Sequence, residues 1–339
     1  MSAGCIAFRR PPVIAASAAV AGRKEGEGPL GDTFDLICED TRFGQKNWEK
    51  AESRMQQLAL ERALRKRGMD AAAVELLFAG DLLNQCVTSS FAMRSSGIPY
   101  VGLYGACSTM AEGLMLAASA VDGGFAQCAA AITSSHFCTA ERQYRTPLAY
   151  GCQRTPTAQW TATAAGCAIL TGSGPGVRVT HAVAGRIVDA GIRDANNMGA
   201  AMAPAACDSL LRLFAMEGCA PDSFDRIITG DLGRLGGDIL LELLAAEGVT
   251  IASRYDDCGR MIYDAARQDV HMGGSGCGCS AGVICGYVMR ELRAGRWRRV
   301  AFAGTGALLS PLTTQQGESI PGICHAVVLD GGEGNNDDR

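Results

Sequence analysis

No apolar run in this sequence approaches the ~18 residues that a membrane-spanning helix requires, so no segment reads as transmembrane. Excess positive charge is also missing. The formal balance is −4 over 339 residues, which removes the electrostatic case for a nucleic-acid partner. No G-x-G-x-x-G opens a helix after the first strand and no Walker motif occurs, so nucleotide binding has no sequence support. Cys277-Gly-Cys279 is the one close cysteine pair, and it lacks the second pair that a structural zinc site needs. Neither a metal nor a cofactor is expected.

Cysteine itself is abundant, but it forms no framework. The 15 cysteines are odd in number, scattered, and mostly set in Ala/Gly-rich apolar segments. That usage fits reduced thiols in a cytosol-like compartment. With 47% apolar and 19% charged residues, the chain reads as globular and long enough for two domains. Pro11–Ala21 follows Arg9-Arg10 and has the outline of a secretion signal. Two prolines open that run and Gly22–Pro29 closes it as a loop, so a first core strand is expected instead. Basic residues cluster at Arg62, Arg65, Lys66 and Arg67, and again at Arg290, Arg293, Arg296, Arg298 and Arg299. Both clusters fall late in amphipathic helices or just after them, where cations complement the dipole. A solvated face and a docking surface for an anionic membrane are the two readings.

The chain is written twice. Gly68…Gly80-Asp81-Leu82 recurs as Gly218…Gly230-Asp231-Leu232, each position displaced by 150. An amphipathic helix precedes each copy (Trp48–Arg67, Ala200–Met216), and each glycine loop leads into a strand (Val74–Ala79, Phe224–Thr229). Strand-turn-Cys-Ser at Tyr100–Ser108 is echoed at Ser275–Ala281, and Gly166–Thr171 is echoed by Gly322–Asp330. Self-similarity of this kind implies two related α/β halves. Strands apolar throughout call for sheets covered on both faces. The join is placed at Gly174-Pro-Gly176, giving halves 1–176 and 177–339.

Cys107 is the focal residue. Ile98–Tyr104 reads as a buried strand, Ser108–Val121 as a helix of small apolar residues, and Gly105-Ala106-Cys107 as the corner between them. A thiol at the positive end of a helix favours its thiolate. That predicts a nucleophile or the floor of an anion pocket, against a plain buried cysteine in a turn.

This duplicated pattern resembles the thiolase and ketoacyl synthase superfamily. The resemblance implies a five-layered αβαβα sandwich, usually dimeric, in which the cysteine carries an acyl group in the enzymes. Lys24–Gly31, Gly80–Gln85, Gly105–Thr109, Thr133–His136 and Glu141–Arg145 more closely resemble the stage V sporulation protein AD family. So do Met202–Ala206, Gly273–Cys277 and Gly304–Pro311, and together these stretches span nearly the whole chain. This second resemblance implies binding of dipicolinic acid, taken up with calcium by the developing spore. It also implies partner proteins of the same operon at the spore inner membrane, with this chain peripheral there.

Dipicolinate is a small flat dianion, so its pocket should offer helix N-termini, backbone N–H groups and cations. The candidates are Cys107 and Ser108 at the helix start, Ser134, Ser135 and His136 at a strand end, and Gly273 and Gly274 in the glycine loop. Arg142 and Arg145 could each grip a carboxylate in a fork, or be solvated loop arginines. His136 reads either as a site residue or as a strand-end cap. Acyl transfer would need Cys107 with His271, which stands near the place of the superfamily's Gly-His-Pro histidine. Here Val270 precedes it and no proline follows. Ala303–Pro311 lacks the second thiolase cysteine, and no loop matches the asparagine loop of condensing enzymes. These gaps favour binding over catalysis. His181 and His325 lie in or beside apolar strands and are expected in the core.

Overall fold

The computed structural model describes residues 3–144 and 154–331. The chain begins with β1 (Cys5–Ala7), β2 (Val13–Gly22), α1 (Arg23–Gly26), β3 (Leu36–Cys38), α2 (Trp48–Arg67), β4 (Leu76–Gly80) and α3 (Val87–Met93). It continues through β5 (Tyr100–Gly102), α4 (Thr109–Asp122), β6 (Cys128–Ser135), α5 (Phe137–Tyr144), β7 (Trp160–Thr161) and β8 (Ala164–Thr171). Next come β9 (Val177–Val183), α6 (Met198–Phe214), β10 (Arg226–Thr229), α7 (Gly233–Ala246), β11 (Tyr255–Asp257), α8 (Cys258–Met261) and β12 (Gly274–Ser275). The last elements are α9 (Cys277–Val283), a π turn (Ile284–Val288), α10 (Met289–Arg293), β13 (Arg299–Ala307), α11 (Pro311–Gln315) and β14 (Gly322–Asp330).

The local signals explain the longest helix. Asn47 caps α2 by accepting the Lys50 N–H, and Ala51, Met55, Ala59 and Ala63 bury one stripe. Arg65, Lys66 and Arg67 occupy its last turn, and Gly68 at φ 66° ends it in the left-handed conformation.

Strand order runs β5-β4-β6-β8-β2 in one half and β11-β10-β13-β14-β9 in the other, so the duplication read in the sequence is a duplication of topology. The two arrays meet where Val13 and Ile14 pair with Arg178 and Val177. β3 extends the first array beside β2. β1, though first in the chain, lies antiparallel to β9 in the second array.

Helices α4 and α9 pack between the arrays, α2 and α3 cover the outer face of the first, and α6 and α7 cover the second. Buried apolar residues accordingly fall into three groups, one between the sheets and one outside each. This is the five-layered αβαβα sandwich. Small residues let the middle layer close: a Cβ at Gly278 of α9 would stand 2.2 Å from the Ala164 carbonyl of β8. No disulfide joins the described cysteines. No helix among the described residues is long and apolar enough to cross a membrane.

Candidate functional site

A cavity of about 280 Å³ opens where the two halves meet. Cys107 reaches it from the first half, with Glu141 and Tyr144 of α5 and with Arg154, Gln159 and Thr161 from the approach to β8. Asn196, Met198, Ser275 and Leu309 close it from the second half. Cys107 sits in a tight turn, Ala106–Ser108, just ahead of α4. Ala106 takes φ 51°, and the Ser108 and Thr109 hydroxyls donate back to the Gly105 and Ala106 carbonyls at 2.6 and 2.5 Å.

Asp231, from the second Gly-Asp-Leu, stands against that thiol. Its carboxylate accepts the Thr305 hydroxyl at 2.8 Å, the Ser275 hydroxyl at 3.2 Å and the Gly276 N–H at 2.8 Å. The Cys107 thiol lies close enough to feel its charge. Burial pushes Cys107 well above the usual thiol range, and the Asp231 charge adds to the shift. The Gly276 N–H opposes these effects without outweighing them. The expectation of a helix-favoured thiolate is therefore corrected. Desolvation and a neighbouring carboxylate outweigh the helix end, and the sulfur keeps its proton.

The other anticipated residues lie mostly behind the cavity or beside it. Ser108, Ser134 and Ser135 are fully buried, the last donating to the Ala162 carbonyl at 2.7 Å. His136 bonds the Thr41 carbonyl through Nε2 at 2.8 Å and accepts the Cys138 N–H at Nδ1. Burial lowers its pKa, so it is a neutral, satisfied cap at a strand end, and it does not line the cavity. Arg142 is paired with Glu49 on a different surface depression. Arg145 lies outside the described residues. His271 bonds the Thr155 carbonyl through Nδ1 at 2.6 Å and approaches Asp269 through Nε2 at 3.1 Å, and it does not line Cys107's cavity. Gly273 and Gly274 do not line the cavity, whereas Ser275, paired with Thr161, does. His325 is buried in β14 with its pKa lowered to about 4 by desolvation, and His181 is half-buried in β9. None of the chain's four histidines lines the cavity. No cluster among the described residues could hold a metal ion.

Three residues that matter were not anticipated. Asp231 was visible in the repeat but read only as architecture. Gln159 donates to the Asp231 carbonyl at 2.7 Å and the Gly274 carbonyl at 2.8 Å, tying the first half to the glycine loop. Arg154 is 9% exposed and its Nη2 is held by the Asp269 carboxylate at 2.7 Å. Its Nη1 is buried with no partner among the described residues. Nothing in its sequence context distinguishes it from the other arginines.

The sequence profile of stage V sporulation protein AD matches residues 2–330. The chain is 42% identical over 323 residues, 95% of each chain, to stage V sporulation protein AD of Bacillus subtilis (strain 168). The chain belongs to the stage V sporulation protein AD family. That membership supports a role in sporulation. Among solved structures, this family member resembles cerulenin-bound OleA of Xanthomonas campestris, with TM-score 0.62 and 13% identity, covering 96% of this chain and 100% of that one. It also resembles 3-oxoacyl-[acyl-carrier-protein] synthase III of Aquifex aeolicus VF5, with TM-score 0.58 and 12% identity over 94% and 99% of the two chains. At those identities the likeness is one of fold, and it agrees with the thiolase-like sandwich described above.

Proposed function

We propose that this chain is a non-catalytic binding protein for dipicolinic acid, pyridine-2,6-dicarboxylate, acting in its uptake into the developing spore. The observation that carries the non-catalytic half is the pairing of Cys107 with Asp231. A thiol held protonated by burial and by a carboxylate is a poor nucleophile, and no histidine stands in the cavity to activate it. The family supplies the sporulation context. A volume of about 280 Å³ accommodates a single-ring molecule. In this reading the protein works as a homodimer, peripheral to the spore inner membrane, with other proteins of the stage V sporulation A operon. It meets its ligand free or as the calcium complex. Calorimetric titration with dipicolinate is the test: saturable heat is expected, and a folded protein that gives none at millimolar ligand ends the proposal.

A second reading, thiolase-type acyl transfer through a thioester on Cys107, is favoured by the thiol's place on the cavity wall. Incubation with a panel of acyl-CoAs and intact-mass measurement decides it. A covalent adduct abolished by Cys107→Ala would establish it over the binding reading.

A further inference from the structure

We infer that Arg154 is the carboxylate-binding residue of the cavity, and that the site takes a small organic carboxylate with an apolar body. This deepens the binding reading above and rests on it. An arginine offers five N–H donors in a fixed plane. Arg154 spends Nη2 on Asp269, donating to its carbonyl at 2.9 Å and its carboxylate at 2.7 Å. The Trp160 ring lies under the guanidinium, 4.7 Å from Cζ to the ring centroid. Trp160 is itself fixed by stacking on Phe137 at 3.8 Å. Lys24 donates to the same Asp269 carbonyl at 3.1 Å and sits 3.4 Å from the Trp160 centroid. The guanidinium is thus held at one edge and one face.

What remains is Nη1, buried in a residue that lines the cavity, with no acceptor among the described residues. A buried charged donor left unmatched costs more than a neutral one. An oxygen of a ligand carboxylate is the chemistry that supplies the missing acceptor. Leu82, Ala140, Met198, Ala307 and Leu309 provide the apolar wall for the ligand's body, and Thr161 and Asn196 provide neutral polar groups.

The test is calorimetric titration of wild type, Arg154→Gln and Arg154→Lys with picolinate, dipicolinate and unsubstituted pyridine, with thermal melting to confirm folding. Both carboxylates are expected to lose at least 30-fold in affinity in Arg154→Gln. A smaller loss is expected in Arg154→Lys, which keeps the charge and the Asp269 pair but not the fork. Pyridine is expected not to bind. Equal dipicolinate affinity in wild type and both folded variants would overturn the Arg154 assignment while leaving the dipicolinate reading intact. Arg154-dependent binding of picolinate without binding of dipicolinate would do the reverse. If no carboxylate binds folded wild type, both fall.

Discussion

Thr139 Oγ1 stands 2.7 Å from Oε2 of Glu52, inside the protein behind the cavity. The same hydroxyl is 2.8 Å from the His136 carbonyl. The hydroxyl donates to the Glu52 carboxyl and shares its hydrogen with the His136 carbonyl. Burial and the nearby Asp81 charge raise the Glu52 carboxyl to about 8. Its other oxygen meets the Ser134 hydroxyl at 2.9 Å. α5, whose Glu141 and Tyr144 wall the cavity, is therefore anchored at its first turn by a neutral acid.

The sign of the pH dependence follows. The native carboxyl holds its proton to higher pH than the unfolded one, so its contribution is fully present below the ordinary glutamate range. It is lost as pH rises toward about 8. The loss approaches about 1.4 kcal/mol per pH unit where only the native form is protonated. Glu52→Gln is expected to flatten the stability profile between pH 5 and 8, read as urea midpoints. A profile as steep as wild type's would assign the slope elsewhere.

Cys107 is expected to resist alkylation. Peptide mapping after iodoacetamide at pH 8 should find it among the slowest thiols of the native protein. Asp231→Asn removes the carboxylate that opposes ionisation, and Cys107 should then react measurably faster than in wild type. The gain is limited because burial is the larger cause. A wild-type Cys107 that reacts as fast as an exposed thiol would contradict the protonated state.

Gly278→Ala is expected to prevent stable folding. The added carbon would meet backbone, the Ala164 carbonyl at 2.2 Å, which cannot rotate away. Thermal melting of the soluble fraction checks it, and a Tm within a few degrees of wild type would mean that α9 can shift off β8.

Asn47→Ala removes the side chain that accepts the Lys50 N–H at the start of α2. A loss of about 1 kcal/mol is expected by urea unfolding. The cavity lies elsewhere, so ligand affinity should be unchanged.

The architecture was legible because the chain repeats itself. The Gly68 and Gly218 loops, the Gly-Asp-Leu corners and the apolar strands each follow local rules, and α2 matches its expected bounds from Trp48 to Arg67. Cys107 was legible for the same reason, as the residue at a strand-to-helix corner. Its protonation was not, because Asp231 arrives from 124 positions away and only the packed halves bring the two together. His136 and Arg142 were plausible by type, but Thr41 and Glu49 satisfy them. Arg154 could not be singled out, since its distinction is an absent acceptor, and a sequence lists groups rather than vacancies.

β1 carries a consequence for how the protein is made. Cys5 pairs with Val183, so an early strand has to wait for a partner 178 positions later. At typical translation rates of ~5–20 residues per second that delay is roughly 10–35 s. Throughout it the opening strand stays without its partner, because it belongs to the lobe still being synthesised. Closure of that late contact clasps the two lobes together, and a ribosome stalled before β9 would release a chain with a loose, unpaired strand.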